Sequence, residues 1–377
     1  MLAHSSLPLI IDNLGHNHDI TADDQEGIIL AFQHCNRVRR IRLCFERASI
    51  LQKLINALDG EFPILESLYV MPREYNWLLN LPETFRAPYL RHLLLGSPRL
   101  TTIGNLVSKS PHPIPIAVHQ NALFQWLSLM PQLEVLGITI SYYFDRTASL
   151  SSLLMRTPIM TRVTLPNLRW LGFQGPSTQL KELLPQVTIP HLEKLQVYFL
   201  NKLTLSAPHQ QVMNTLGNLP LNAIMLIFLE EYIDVMSYPH KGARTYTSCM
   251  TLDGRSLNWQ VGSAADFCHV LSTVFFAVEH LTLKYDRQLN SSSEEPDRSQ
   301  WRKLLGSFGG AKTLYVDSEL VEQLSYALQP GEGESPMELL PELQELSYPA
   351  IASSLNAFTQ FIDARQRAGG PVTIVHP

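Results

Sequence analysis

Cysteine is scarce in this chain, with four residues among 377. None of the four forms a CxxC pair or stands at zinc-ligand spacing from histidines, so the sequence indicates neither a disulfide framework nor a zinc site. Free thiols are typical of a reducing compartment, and we expect an intracellular protein of the cytoplasm, the nucleus or both. The four residues are Cys35, Cys44, Cys249 and Cys268.

Long apolar runs and an excess of positive charge are missing as well. No apolar run reaches the roughly 18 residues of a membrane span, and the N-terminus lacks the features of a signal peptide. The formal net charge is -5, which provides no basic footprint for phosphates. We therefore expect no membrane segment and no nucleic-acid partner. The basic run Arg37 to Arg42 alternates with apolar residues and is interpreted as a strand with a solvated basic face.

The sequence also lacks the common catalytic motifs. It contains no GxSxG, no Walker-type GxxxxGK, no GxGxxG after a strand and no HExxH. His16 and His18 stand in a polar turn and are interpreted as solvated, and the glycines between Gly306 and Gly310 follow a predicted helix and indicate its C-terminal cap. We expect no catalytic residues, no metal and no cofactor, so that the protein is not an enzyme.

What the sequence does contain is a short repeated pattern, in which an apolar residue is followed three and five positions later by two others. Most copies begin 24 to 35 residues after the previous one, which is close to the period of leucine-rich repeats. The ten copies are Val38/Ile41/Leu43, Leu65/Leu68/Val70, Leu90/Leu93/Leu95, Leu133/Leu136/Ile138, Leu168/Leu171/Phe173, Leu192/Leu195/Val197, Leu221/Ile224/Leu226, Val278/Leu281/Leu283, Ala311/Leu314/Val316 and Leu343/Leu346/Tyr348.

Each copy of the pattern predicts a short strand with one buried face, because its last two apolar positions are two residues apart. In six copies a proline stands two residues before the first apolar position and marks the start of the strand. The longest interval between copies has room for a further strand around Cys249 to Leu252. The prolines are Pro63, Pro88, Pro131, Pro166, Pro190 and Pro341.

Stretches with helical spacing alternate with the predicted strands. The alternation predicts an α/β fold, a leucine-rich-repeat-like solenoid of ten to twelve strand-helix units with a parallel sheet on the concave side and helices outside. We expect residues 1–377 to form this single domain, with a last strand or cap at 371–375. The helical stretches are 23–35, 50–58, 122–130, 179–184, 210–219, 264–278, 299–308, 318–328 and 356–367.

The outward positions of the predicted strands are the candidate site. Aromatic and arginine side chains in such a row are typical of protein recognition, because they bury much area at a modest entropy cost. The alternative for any one of these residues, Trp170 above all, is that a neighbouring loop covers it. The candidate partner-binding residues are Arg40, Arg42, Tyr69, His92, Trp170, Lys194, Gln196, Tyr198, Thr282, Lys284 and Tyr315.

Twelve stretches spread over nearly the whole chain resemble one known family. They are Pro8–Asp12, Asp19–Ala22, Glu26–Phe32, Arg37–Leu43, Ile50–Ile55, Leu81–Phe85, Met130–Glu134, Val163–Leu168, Ala277–Leu283, Trp301–Leu305, Leu339–Leu343 and Phe361–Arg365. Together they resemble the repeat region of a large group of fungal F-box proteins. The resemblance implies a substrate receptor of a ubiquitin ligase, in which a helical F-box binds a cullin-ligase adaptor and the solenoid holds the protein to be ubiquitinated. It implies no catalytic residue in this chain.

The sequence departs from that family at one point. No F-box-like segment, a leucine-proline start followed by three compact helices, precedes residue 8, so we expect the adaptor-binding half to be absent and adaptor binding only if an F-box exists upstream. The leading hypothesis is the substrate-recognition region of an F-box-type receptor. The alternatives are a stand-alone binding solenoid with no ubiquitin-ligase role and, last, an unrecognised enzyme.

Overall fold

The computed structural model divides the chain into two compact units, Met1–Glu193 and Lys194–Pro377. Within them no described helix is both long and apolar enough to cross a membrane. The described residues are 7–13, 20–45, 48–72, 84–97, 127–140, 162–175, 183–199, 219–254, 256–286, 297–331, 333–349 and 357–376, with single positions at 82, 124, 177 and 180.

The N-terminal unit contains a sheet in which all neighbouring strands are parallel and follow the order of the chain. Its strands are β1 (Leu9–Asn13), β2 (Val38–Phe45), β3 (Ser67–Pro72), β4 (His92–Ser97), β5 (Val135–Ile140) and β7 (Trp170–Gly175). Two short strands, β6 (Val163–Thr164) and β8 (Val187–Thr188), form a separate parallel pair. The helical segments are α1 (Ala22–Phe32), α2 (Ala48–Asn56) and 3-10 turns at Cys35–Arg37 and Leu184–Gln186.

The C-terminal unit has a mixed sheet with the order β9-β12-β11-β10-β13-β14-β15-β16. Only β11 runs antiparallel to its two neighbours. The strands are β9 (Lys194–Phe199), β10 (Ala223–Phe228), β11 (Tyr232–Tyr238), β12 (Ser248–Asp253), β13 (His280–Tyr285), β14 (Thr313–Val316), β15 (Glu345–Ser347) and β16 (Thr373–Val375). The helices are α3 (Leu257–Val270), α4 (Ser272–Phe275), α5 (Arg298–Gly306), α6 (Val321–Leu328), α7 (Thr359–Arg367) and a 3-10 turn at Ser318–Leu320.

The strand predictions are confirmed, since all ten copies of the pattern lie at strands of these sheets. The further strand around Cys249 is confirmed as β12, and the last strand near 371–375 as β16. The fold is therefore α/β with mostly parallel sheets. The sequence did not predict β1, β6, β8 or the antiparallel β11. The solenoid arrangement and the single domain stay predictions.

Most of the predicted helices are also present. The helix predicted over 264–278 begins earlier, at Leu257, because the Ser256 side chain accepts a hydrogen bond from the Trp259 N–H and caps it there. Thr21, Asp297 and Asp317 cap helical segments as their sequence positions indicate. Residues 210–218, four of the nine residues of 122–130 and three of the six residues of 179–184 lie outside the described residues.

The core of each unit is formed by the pattern's apolar positions, which stack in register from strand to strand. In the N-terminal unit one row comprises Ile41, Leu68, Leu93, Leu136 and Leu171, all within 1% of full burial. Burying one such side chain stabilises the fold by about 1.5–3 kcal/mol, so these rows dominate the packing energy.

The prolines belong to a four-residue turn that repeats before the strands. In five of the six copies with proline, the first apolar residue donates its N–H to the carbonyl three residues earlier, as Leu65 does to Phe62 over 3.2 Å. Proline thus occupies the second position of the turn, where its fixed φ is favourable and no donor is needed. The same bond recurs without proline between Val278 and Phe275 at 3.0 Å.

The residue after each turn forms a regular contact with the preceding copy. In the N-terminal unit each such residue from Glu66 onward donates its backbone N–H to the backbone carbonyl of the equivalent residue in the preceding copy, over 2.8 to 2.9 Å. Their side chains alternate in charge along the sheet, and ion pairs join Arg39 to Glu66 (3.0 Å), Arg91 to Glu134 (3.8 Å) and Arg169 to Glu193 (2.5 Å). We call this row of six residues the charge ladder.

The charge ladder predicts a position-dependent cost of charge reversal. The substitution Glu66→Arg places a cation between Arg39 and Arg91, and we expect it to lower the free energy of unfolding by about 0.5–1 kcal/mol. The cost should shrink in 1 M NaCl, where screening acts over about 3 Å. Urea unfolding at low and high salt measures both effects.

The matched control is Glu26→Arg, which makes the same charge change at an exposed position of α1. We expect it to cost less than Glu66→Arg at low salt, and expect Arg39→Glu to recover part of the loss when added to Glu66→Arg. Equal losses for the two single variants would show that the ladder has no energetic role.

Candidate binding surfaces

The side chains between the buried strand positions lie on the opposite face of each sheet, as the alternation predicts. All eleven candidate residues are in these outward positions. Arg40, Gln196 and Lys284 are exposed, and the other eight are half-buried. Five belong to the N-terminal unit and six to the C-terminal unit, and the two faces are described separately.

In the N-terminal unit, strand register brings the predicted residues into adjacent rows. Arg42 lies between Asp12 and Tyr69, and its guanidinium forms an ion pair with Asp12 over 3.1 Å. His92 stands in the next row, between Ser67 and Val135. Both rows are open to solvent in part, so they can contact a partner.

Three glycines at outward positions of this face give large apolar side chains room to lie against the backbone. A Cβ atom on Gly96 would collide with Met71, one on Gly137 with Leu94, and one on Gly172 with the indole of Trp170. Met71, Leu94 and Trp170 are all half-buried. Part of the Trp170 ring is buried against Gly172 of its own strand and against Gly137 of the neighbouring strand. We call Met71, Leu94 and Trp170 the apolar platform.

In the C-terminal unit the predicted residues contact aromatic side chains of the β11–β12 hairpin. The Lys194 ammonium lies 3.8 Å from the ring centroid of Tyr246, and the Tyr246 hydroxyl donates to Gln196 Oε1 over 3.5 Å. The rings of Tyr198 and Tyr232 pack edge to face at 6.3 Å. The outward positions of β9 are therefore held in place by the hairpin.

A groove of about 260 Å³ lies on the outward face of the same unit, where the loop after β11 folds over β13, β14 and β15. Thr282 and Tyr315 line it, as do His280 and Arg244. His280 Nδ1 is 2.9 Å from the Thr313 hydroxyl. Burial lowers the pKa of His280, and the nearby charge of Lys241 acts in the same direction.

The described residues offer little nucleophilic or metal-binding chemistry. No group of three or more histidine, cysteine or acidic side chains among them is arranged to hold a metal ion; His16 and His18 lie outside this part of the chain. Burial raises the pKa of the Cys249 thiol to about 12, with the charge of Asp234 acting in the same direction. Burial also raises the pKa of Cys268. Both thiols stay protonated near neutral pH, which removes the nucleophilic form.

Comparison with known proteins adds no family assignment. No model of a known protein family matches the chain, and no curated protein matches it.

Sequence reasoning missed part of both surfaces. Leu94 stands in the same outward row as Tyr69, and Met71 stands in the next outward row along β3. Simple alternation along their strands was a sufficient signal for both. His280 precedes Thr282 by two residues and carried the same signal. Lys241, Arg244 and Tyr246 belong to a loop that the repeat pattern does not cover, and no signal in the pattern placed them.

The thiols give a test of these burial assignments. We expect Cys35, which is half-buried, to react first with Ellman's reagent at pH 8, and expect Cys268 to react only after unfolding in urea. Stopped-flow absorbance with the Cys35→Ser variant as control assigns the fast phase. Labelling of Cys268 in the native protein at the rate of Cys35 would contradict the structure.

Proposed function

We propose that this protein is a non-catalytic, protein-binding scaffold, built as a leucine-rich-repeat-like solenoid and binding its partner through the outward strand face. The observation that carries the proposal is the apolar platform, where Met71, Leu94 and Trp170 lie half-exposed on a sheet face that also presents Arg40 and Arg42. A face that carries both an aromatic anchor and arginines has the composition of energetic hot spots in protein interfaces.

The platform is favourable for binding because its side chains are already ordered. Gly172 and Gly137 hold the indole of Trp170 against the sheet, so little side-chain entropy is lost when a partner covers it. Arg40, on β2 of the same face, favours a partner with acidic groups beside an apolar centre, whereas the charge of Arg42 is already paired with Asp12.

The repeated geometry supports the solenoid part of the proposal. In the N-terminal unit, strand order follows chain order, each strand is parallel to the next, and the same turn and the same inter-copy hydrogen bond precede successive strands. Stacked repeats that bury one shared core have these features.

Site-specific photo-crosslinking tests the binding face. With p-benzoylphenylalanine at Tyr69, we expect a protein partner to crosslink in cells, because this position adjoins Leu94 of the platform in the strand register. The matched control carries the same group at Tyr326, an exposed tyrosine of α6. Mass spectrometry identifies the crosslinked protein, and purified partner then gives the affinity. We expect Trp170→Ala to weaken that binding about 30-fold.

Two results would count against the proposal. One is a crosslink from Tyr326 that is as strong as the one from Tyr69, and the other is an unchanged affinity of the Trp170→Ala variant for the crosslinked partner. The thermal unfolding of the variant shows whether any loss of binding reflects loss of the fold.

The resemblance to fungal F-box proteins supports a narrower form of this proposal. In this form the chain is the substrate-recognition region of an F-box-type ubiquitin-ligase receptor, and the platform binds the protein to be ubiquitinated. A stand-alone binding solenoid with no ubiquitin-ligase role is the alternative. Catalysis belongs to other subunits in the first case and is absent in the second.

Adaptor binding separates these two forms. If the narrower form holds, the protein expressed from its full-length transcript co-purifies with the cullin-ligase adaptor, and the platform variant Trp170→Ala retains the adaptor while losing the substrate. Affinity purification with quantitative mass spectrometry measures both. Failure of the wild-type protein to retain the adaptor would leave the stand-alone scaffold.

A further inference from the structure

One wall of the groove in the C-terminal unit is a turn held in place by a hydrogen bond and an ion pair. The chain leaves β11 and turns at His240 to Ala243, where the Ala243 N–H donates to the His240 carbonyl over 3.2 Å. Gly242 has φ +80°, which this turn requires and which glycine adopts without strain. The turn is tied to the far wall by an ion pair between Lys241 Nζ and Glu345 Oε1 at 3.5 Å.

The charges at the groove favour an anion. Lys241 and Arg244 line it together with a single acidic residue, Glu345. Lys241 shares its charge with Glu345, and both side chains remain partly open to solvent. Arg244 is exposed and has no ion-pair partner in the described part of the chain. A positive charge without a partner thus stands at the rim, where a ligand can reach it.

The floor of the groove is apolar and rich in hydroxyls. Met225, Tyr238 and Tyr315 contribute apolar surface, and Thr282 and Thr313 contribute hydroxyl groups. At about 260 Å³ the groove is smaller than the roughly 300–1,000 Å³ of sites that enclose cofactors or drug-sized ligands. Its size suits a short stretch of peptide, with an apolar side chain on the floor and a charged group at the rim.

We infer that this groove binds a short peptide segment of a partner protein in which a carboxylate stands next to an apolar side chain. The carboxylate pairs with Arg244, whose guanidinium offers the fork of donors that fits a carboxylate. The apolar side chain contacts Met225 and Tyr315. This site is separate from the apolar platform, so either proposal can fail while the other stands.

Methyl NMR of the full chain tests the inference directly. The protein is labelled with ¹³C at the methionine methyl groups, and the Met225 signal is assigned with the Met225→Leu variant. The probe is an acetylated, amidated tripeptide with glutamate between two leucines, and the matched peptide has glutamine in place of glutamate. We expect the glutamate peptide to shift the Met225 signal saturably and to bind at least about fivefold more tightly than its glutamine analogue.

Two arginine variants provide the matched comparison. We expect Arg244→Gln to weaken the glutamate peptide about fivefold, and expect Arg162→Gln, at an exposed position of the N-terminal unit, to leave its affinity unchanged. Thermal unfolding shows whether the variants keep the fold.

Three results would overturn the inference: no saturable shift of Met225, equal affinity for the two peptides, or equal effects of the two arginine variants. A shift of Met71 in place of Met225 would also overturn it, because the peptide would then bind the platform. The first three results do not bear on the crosslinking from Tyr69, which reports on the N-terminal unit.

Discussion

The register between neighbouring strands is the constraint on which the rest of the structure depends. A single backbone hydrogen bond sets the register at the start of many strands. The Glu66 N–H donates to the carbonyl of Arg39 over 2.9 Å, and the Lys312 N–H donates to the carbonyl of Glu279 over 2.8 Å. Slippage by one residue would carry the leucines of the pattern to the solvent face and the face residues into the core. The buried rows and the candidate faces are therefore two consequences of the same hydrogen bond.

The sequence predicted the strands well because turn, core position and period occur together in many of the copies. Pro88, Leu90 and Leu93 alone define a turn, its closing residue and the first buried strand position. The antiparallel β11 was missed for a physical reason: a hairpin strand needs neither the proline turn nor a crossover helix. Its own alternation, with Ile233 and Val235 buried between half-buried neighbours, was the remaining signal.

The candidate faces were predictable only as lists of outward positions. Alternation placed Tyr69 and Trp170 on the correct side of their strands. It could not show that Gly172 and Gly137 make room for the indole, because that depends on how side chains lean across and along neighbouring strands. Alternation could not predict the groove either, since its walls come from a loop and from strands distant in sequence.

The β11–β12 hairpin buries polar side chains in the core. Where other strands place leucine or isoleucine, it places Ser237 and Ser248, which are buried and hydrogen-bonded to each other. Paired hydroxyls avoid the penalty of an unsatisfied polar group, yet they forgo the apolar burial that a leucine pair provides. In return the hairpin supplies the loop that carries Lys241 and Arg244 over the sheet. The outward face of the N-terminal unit has no such hairpin in its described part, and there the platform residues are half-buried. In their described parts the two units thus differ on their outward faces, with partly exposed apolar side chains in one and a cationic groove in the other, and the antiparallel strand accompanies the groove.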